Sequence, residues 1–270
     1  MPDTNSEDGF ARTYGVELLF SSEPEIDVKA AVVELEKVIG DIDHKESGDQ
    51  NTFFLLDHQV TYSDEKRVPG QLMLLYADPK KDKDLLEVEV QQSWQTPNAS
   101  EIVSCTKYKV LLTDIMSSGL NPKERQHILS SAIKVFVKHS NCIGVANKRT
   151  QQIIDAAEIK TSSDPLLGFV NIRFFNAGDQ GLLMDSLGLA ALGLYDVQCH
   201  FVELDPNEVS SQLYNIAYYI FNDEPEFENG HTVAGVNGES WQVQYESSLV
   251  APSRAVLDLN PGSKYAAGNR

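Results

Sequence analysis

The chain has 270 residues, 41% of them hydrophobic and 23% charged, which excludes a wholly disordered polymer and leaves room for one large hydrophobic core or two of ordinary size. Its 40 acidic and 22 basic residues give a net charge of −18. That field repels nucleic acid phosphate and anionic membrane surfaces, and it attracts basic proteins.

The excess is uneven. Residues 1–100 hold 21 acidic and 9 basic side chains, residues 101–180 hold 7 and 10, and residues 181–270 hold 12 and 3. The last third is almost bare of positive charge. Acidity also serves solubility. Cys105, Cys142 and Cys199 are odd in number and far apart. They offer neither a disulfide framework nor a zinc spacing, as in a reducing compartment. The opening MPDTNSEDGFAR has no basic or apolar segment of the secretory kind. The apolar stretch Leu182–Val197 is broken by Asp185, Ser186, Asp196 and glycines, too short and too polar to span a bilayer. The expectation is a cytoplasmic protein.

Residues 1–12 read as a disordered leader. Tyr14–Phe20 reads as the first strand, ended by a Ser-Ser-Glu-Pro turn. Asp27 caps a helix that runs to about Ile39, with Val28, Val32, Leu35 and Ile39 at helical spacing and Gly40 as its stop. Asp41–Asn51 reads as a polar loop. Thr52–Leu56, Gln59–Tyr62, Gln71–Ala77 and the alternating Leu85–Gln92 read as strands, with residues 79–84 (PKKDKD) as a charged hairpin tip. Tyr108–Leu112 is the next strand. Asn121-Pro122 opens a helix over Lys123–His139, whose apolar face is Ile128, Leu129, Ala132, Ile133, Val135 and Phe136. Arg149–Ala157 reads as a shorter helix and Thr161–Pro165 as a linker.

Val170–Phe175 reads as a strand and Asn176–Gly181 as a turn. Leu182–Leu194 is rich in Gly and Leu and shows no decisive period. Val197–Val202 alternates as a strand does. Asp205-Pro206-Asn207-Glu208 is a helix start, with Asp as N-cap, Pro at the first position and Glu placed for a capping box. Val209, Leu213, Ile216, Ala217, Ile220 and Phe221 form that helix's apolar face. Thr232–Val236 and Trp241–Tyr245 flank Asn237-Gly238, a hairpin signal. Residues 251–270, with prolines, glycines and a basic end, read as a loose tail. This order predicts an α+β fold of two mixed or antiparallel sheet layers with packed helices. It divides into an N-terminal region with a helical bridge over 13–160 and a C-terminal region over 165–250. Whether the two are related halves stays open.

Signals for chemistry are sparse. His44, His58, His127, His139, His200 and His231 form no i, i+4 pair and no HExxH pattern. Cys199 and His200 are neighbours, and on a strand they point to opposite faces. The chain has no GxSxG elbow, GxGxxG loop or Walker pattern. No catalytic residue, metal ligand or cofactor is assigned. An enzyme with a site built from distant residues, using His200 or Cys199, remains an alternative, as does a scaffold or homo-oligomer. Asn171 and Arg173 share one strand face; they line a site, or Arg173 pairs with an acid such as Asp185. Gly188, Leu189 and Leu192 read as packing. Lys134, Lys138, Lys148 and Arg149 read as the solvated face and end of a helix, so no nucleic-acid surface is assigned. The stronger partner signal is the loop Asn222–Gly230 (NDEPEFENG), where Asp223, Glu224, Glu226 and Glu228 surround Phe227. It reads either as an aromatic anchor with steering charge for a basic protein or as a solvated acidic loop.

VNIRFFN (Val170–Asn176), Met184–Phe201, LDPNEV (Leu204–Val209) and LYNIAYYIF (Leu213–Phe221) resemble, in their order and spacing, a bacterial family known as domain of unknown function 4261. The family brings no chemistry to carry over. Its members occur in contexts that include toxin–immunity systems. The resemblance therefore implies a non-enzymatic immunity protein of the type VI secretion kind, which binds a cognate toxin directly and needs no cofactor. A nuclease toxin holds phosphate with positive charge, and an acidic inhibitor is its electrostatic complement.

Overall fold

A computed structural model describes residues 9–61, 65–76, 86–178 and 181–268. Ala11–Gly168 forms one compact unit, and Phe169–Arg270 with Met1–Phe10 forms the other. Each contains one sheet, so the expected α+β class with two sheets is what the chain adopts.

The first unit runs β1 (Gly15–Phe20), α1 (Val28–Ile39), β2 (Ile42–Ser47), β3 (Gln50–Thr61), β4 (Arg67–Tyr76), α2 (Glu87–Gln92), α3 (Ala99–Cys105), β5 (Tyr108–Ile115), α4 (Pro122–Lys138), β6 (Gly144–Asn147), β7 (Gln152–Asp155) and α5 (Ala156–Thr161). Its strands lie in the order β2-β3-β4-β5-β1-β6-β7, and every pair is antiparallel. The Asp27 carboxylate accepts the Ala30 N–H and so starts α1, which buries Ala31, Leu35 and Ile39. Asn121 accepts the Lys123 N–H, Pro122 occupies the first turn of α4, and all six expected apolar residues of that helix are buried. Leu86, Ala99 and Ile102 pack against Leu19, Ala146 and Ile153. Alternation puts Leu18 and Phe20 on the other face of β1, and both are fully buried. The sheet is thus covered on both sides at its centre. There the Arg125 guanidinium donates to both oxygens of Asp114 at 2.6 and 3.0 Å and to the Ala11 carbonyl at 2.6 Å.

Several expectations give way here. Asp41–Asn51 is not a loop: it supplies β2, a turn at Gly48-Asp49 and the start of β3. β2 is an edge strand whose side chains mostly face water, so IDHKES lacks an apolar signal. Thr52–Leu56 and Gln59–Thr61 belong to one strand, β3, with a register shift between Leu55 and Gln59. β4 starts at Arg67, ahead of the expected Gln71. Tyr62, Ala77, Leu85 and the expected hairpin tip at 79–84 lie outside the described residues. The expected strand at Leu85–Gln92 is the helix α2, with Glu87 and Glu89 in its first turn, where helix-dipole charge favours them; six residues are too few for periodicity to decide. The expected helix at Arg149–Ala157 is a turn followed by β7, because Ile153 and Ile154 pair with Ala146 and Val145 of β6. A helix begins only at Ala156, where Asp155 accepts the Ala157 N–H.

Glu34 of α1 receives Lys138 Nζ at 2.7 and 2.8 Å and His139 Nε2 at 2.7 Å. Those hydrogen bonds, Lys138 first, hold its carboxyl below the usual carboxylate range. A lowered carboxyl pKa stabilises the folded state above the ordinary pKa of 4.5, and that stability is lost as pH falls through the lowered value. Glu34→Gln should therefore be slightly less stable than the parent at neutral pH and equal to it in strong acid. Urea midpoints recorded across pH check this, and a difference that persists in acid overturns it.

The second unit runs β8 (Asn171–Asn176), β9 (Leu182–Leu187), β10 (Asp196–Phe201), α6 (Pro206–Asp223), β11 (Thr232–Ala234), β12 (Ser240–Ser247) and β13 (Ala255–Asn260). Its strand order is β11-β12-β13-β10-β9-β8; β10 and β13 are parallel and the other pairs antiparallel. Leu182–Leu194, undecided by periodicity, resolves into β9 and a 3-10 turn at Leu189–Leu192. Residues 251–270, expected as a loose tail, supply β13 to the interior of the sheet, and Val256, Leu257, Asp258 and Leu259 are buried. Pro252 and Pro261 bound that strand, and they are why the segment reads as irregular. β1-α1-β2-β3-β4 and β10-α6-β11-β12-β13 share one topology, a strand and helix followed by a three-stranded meander. In the second unit the meander's last strand lies directly beside the first strand; in the first unit β5 is inserted between them.

Candidate functional site

α6 positions the acidic loop. Asp205 accepts the Asn207 N–H at 2.8 Å and fixes the helix start. Val209, Leu213, Ile216, Ala217, Ile220 and Phe221 are all buried, and the helix packs on β8, β9 and β10. At its end Glu224 adopts a left-handed conformation (φ 46°) and donates its N–H to the Ile220 carbonyl. The chain then turns back toward β12. The Tyr245 hydroxyl donates to the Phe227 carbonyl at 3.1 Å, the Tyr245 N–H donates to Asn229 Oδ1 at 2.8 Å, and the Gly230 N–H donates to the Val243 carbonyl at 2.9 Å. Burial, with Tyr195 and Glu226 nearby, raises the Tyr245 phenol, so it stays a hydrogen-bond donor at neutral pH.

This folding leaves Asp223, Glu224, Glu226 and Glu228 exposed and Phe227 half-buried. Asp223 ends α6, and the other four residues of the expected partner patch lie on the short loop that follows it. That loop walls a groove of about 630 Å³ whose other walls are Ile216 and Tyr219 of α6 and Thr232–Ala234 of β11. Tyr219 and Tyr218 are 45% and 40% exposed, so α6 presents aromatic surface beside the carboxylates. β11 is held by its hairpin with β12, as the Asn-Gly turn predicts. Gly235 is required there: a Cβ on it would lie 2.3 Å from the Trp241 indole nitrogen, and Trp241 is fully buried.

The remaining candidates are buried. Cys199 and His200 sit on β10 at 0% and 9% exposure, and strand alternation directs them to opposite faces. Arg173 pairs with Asp185, donating from Nε at 2.9 Å and from Nη2 at 2.5 Å. The same Asp185 Oδ2 accepts Arg254 Nη2 at 2.7 Å, while Arg254 Nε reaches Asp196 at 2.9 Å. Asp196 also accepts the Ser186 hydroxyl and the Leu189 N–H, each at 3.0 Å. Burial pushes the Asp196 carboxyl above the usual range, against the opposing pull of Arg254. Desolvation works against the Arg254 charge, but Asp196 and Asp185 outweigh it and raise the guanidinium further. The network ties β8, β9 and β10 to the segment before β13. No motif singles out Asp196 and Arg254, although a carboxylate inside an apolar strand is itself a sign of a buried partner. Among the described residues, no three His, Cys, Asp or Glu side chains converge as a metal-binding group.

Thiol chemistry separates the cysteines. Cys105 is exposed, and Cys142 and Cys199 are buried. Burial pushes the Cys142 thiol up to about 11, so little thiolate forms at pH 8. A thiol reagent should modify Cys105 alone in the native protein and all three cysteines in denaturant. Rapid native labelling at Cys142 or Cys199, located by peptide mass, would contradict this burial.

Residues 185–260 match the family model described as Domain of unknown function (DUF4261). The match spans Asp185, Asp196, Arg254, all of α6, the acidic loop and the β11–β12 hairpin. No curated protein and no solved structure matches the chain. No helix among the described residues is long and apolar enough to cross a membrane.

Proposed function

We propose that this chain is an immunity-type protein: a non-enzymatic, cytoplasmic inhibitor that neutralises a cognate basic toxin, of the type VI secretion kind, by direct protein–protein binding. It uses no cofactor. The observation that carries this reading is the groove beside α6, walled by Tyr219, Glu226 and Phe227, with the exposed carboxylates of Asp223, Glu224 and Glu228 next to it in the chain. Aromatic anchors inside a charged rim are the usual anatomy of a tight protein interface. The net charge of −18 adds long-range attraction for a basic partner, and a toxin that cleaves nucleic acid is basic where it grips phosphate. The C-terminal family match supports the reading because it covers the groove in full.

The test is co-expression with the product of the gene immediately upstream. The expected result is a complex that co-purifies at low and moderate salt and restores growth to cells poisoned by that product. Absence of both complex and rescue would remove the proposal.

A further inference from the structure

The groove is bounded by a sheet edge that no other strand among the described residues pairs with. β11 is the terminal strand of its sheet. Thr232 stands opposite Gln242, Val233 opposite Trp241 and Ala234 opposite Ser240. The Val243 N–H donates to the His231 carbonyl and the Gly235 N–H to the Glu239 carbonyl, both at 2.7 Å. In an antiparallel pair, hydrogen-bonded and non-hydrogen-bonded positions alternate. Residues 231, 233 and 235 therefore turn their main-chain groups toward β12, and Thr232 and Ala234 turn theirs away from it. Gln212 bears this out: its side-chain amide reaches from α6 and donates to the Ala234 carbonyl at 2.7 Å. The outward groups of β11 thus face the groove.

Natural edge strands are commonly guarded by lysine, proline or a covering element. β11 reads Thr-Val-Ala, with Thr232 and Ala234 exposed, and its flank is acidic. We propose that an extended, basic segment of a partner protein adds to this edge as a further strand. Its main chain pairs with Thr232 and with the Ala234 N–H. One apolar side chain enters between Tyr219 and Phe227, and Lys or Arg side chains meet Glu226 and Glu228. Charge selects this occupant, since residues 181–270 hold 12 acidic and 3 basic side chains. Strand addition gives affinity through the main chain and specificity through alternate side chains. This mode rests on the loop being the partner surface proposed above.

The probe is an acetylated, amidated hexapeptide of alternating Lys and Leu, with a Glu–Leu peptide and an N-methylated Lys–Leu peptide as controls. The variant is Thr232→Pro. Proline is tolerated where the strand N–H points away from the ladder, so the β11–β12 pairing should survive, and an unchanged urea midpoint verifies that. Expected are binding of the Lys–Leu peptide by the parent protein, slowed amide exchange at Thr232 and Ala234, and a loss of about 10-fold or more in affinity on Thr232→Pro. The N-methylated peptide should lose a similar factor, and the Glu–Leu peptide should not bind. No binding of the Lys–Leu peptide overturns the inference, as does binding indifferent to both N-methylation and Thr232→Pro. A stable toxin complex alongside either of those results would leave the immunity reading standing without strand addition. Peptide capture with no toxin complex would do the reverse.

Discussion

Replacing Arg254 with alanine should cost the C-terminal unit about 3–5 kcal/mol, the typical loss when one member of a buried ion-pair network is removed. The guanidinium donates to Asp196, Asp185, the Ser186 carbonyl and the Pro252 carbonyl. All three charged residues are buried to 2% exposure or less. Alanine leaves Asp196 without its cation and Asp185 with Arg173 alone, at a depth where solvent is a poor substitute for the lost donors. A loss of that size rivals the whole stability of many domains. Arg254→Lys should recover little of it, because one ammonium cannot span the contacts that the planar fork makes. Urea unfolding followed through the buried Trp241 of the same unit reads the effect. A loss below about 1 kcal/mol would show that the network is weakly coupled to folding.

Reversing the acidic cluster with Asp223→Lys, Glu224→Lys, Glu226→Lys and Glu228→Lys together should slow association with the proposed basic partner by about 10- to 100-fold at low salt. The dissociation rate should change less, since steering acts on encounter and anchoring on release. Salt should then have a weaker effect on the association rate than it has in the parent protein. All four side chains are exposed, so the unfolding midpoint should move little. Stopped-flow or surface-binding kinetics at two salt concentrations would measure this. An unchanged rate with an unchanged salt dependence would place the interface elsewhere on the chain.

Local rules make much of this protein legible in its residues alone. Asp27, Asn121 and Asp205 each mark a helix start, because a side-chain oxygen must satisfy free N–H groups there. The apolar faces of α4 and α6 follow from a 3.6-residue period. The β11–β12 hairpin follows from Asn-Gly. The acidic loop is visible as composition, and so are its charge and its aromatic residue.

What escapes local rules is whatever depends on neighbours distant in sequence. IDHKES becomes β2 because β3 can pair with it, and polar residues suit an edge strand. Gln152–Asp155 becomes a strand through pairing with β6, against a helical-looking pattern. Ala255–Asn260 becomes an interior strand because β10 and β12 flank it. Asp196 and Arg254 lie 58 residues apart, so no local rule joins them; only the parallel pairing of β10 with β13 does. The groove is of the same kind. The sequence determined that the loop after α6 would be acidic and would carry an aromatic residue. The tertiary structure alone decided that this loop stands beside the outer edge of β11, because that edge exists only once α6 has packed on one part of the sheet and the hairpin has closed the other.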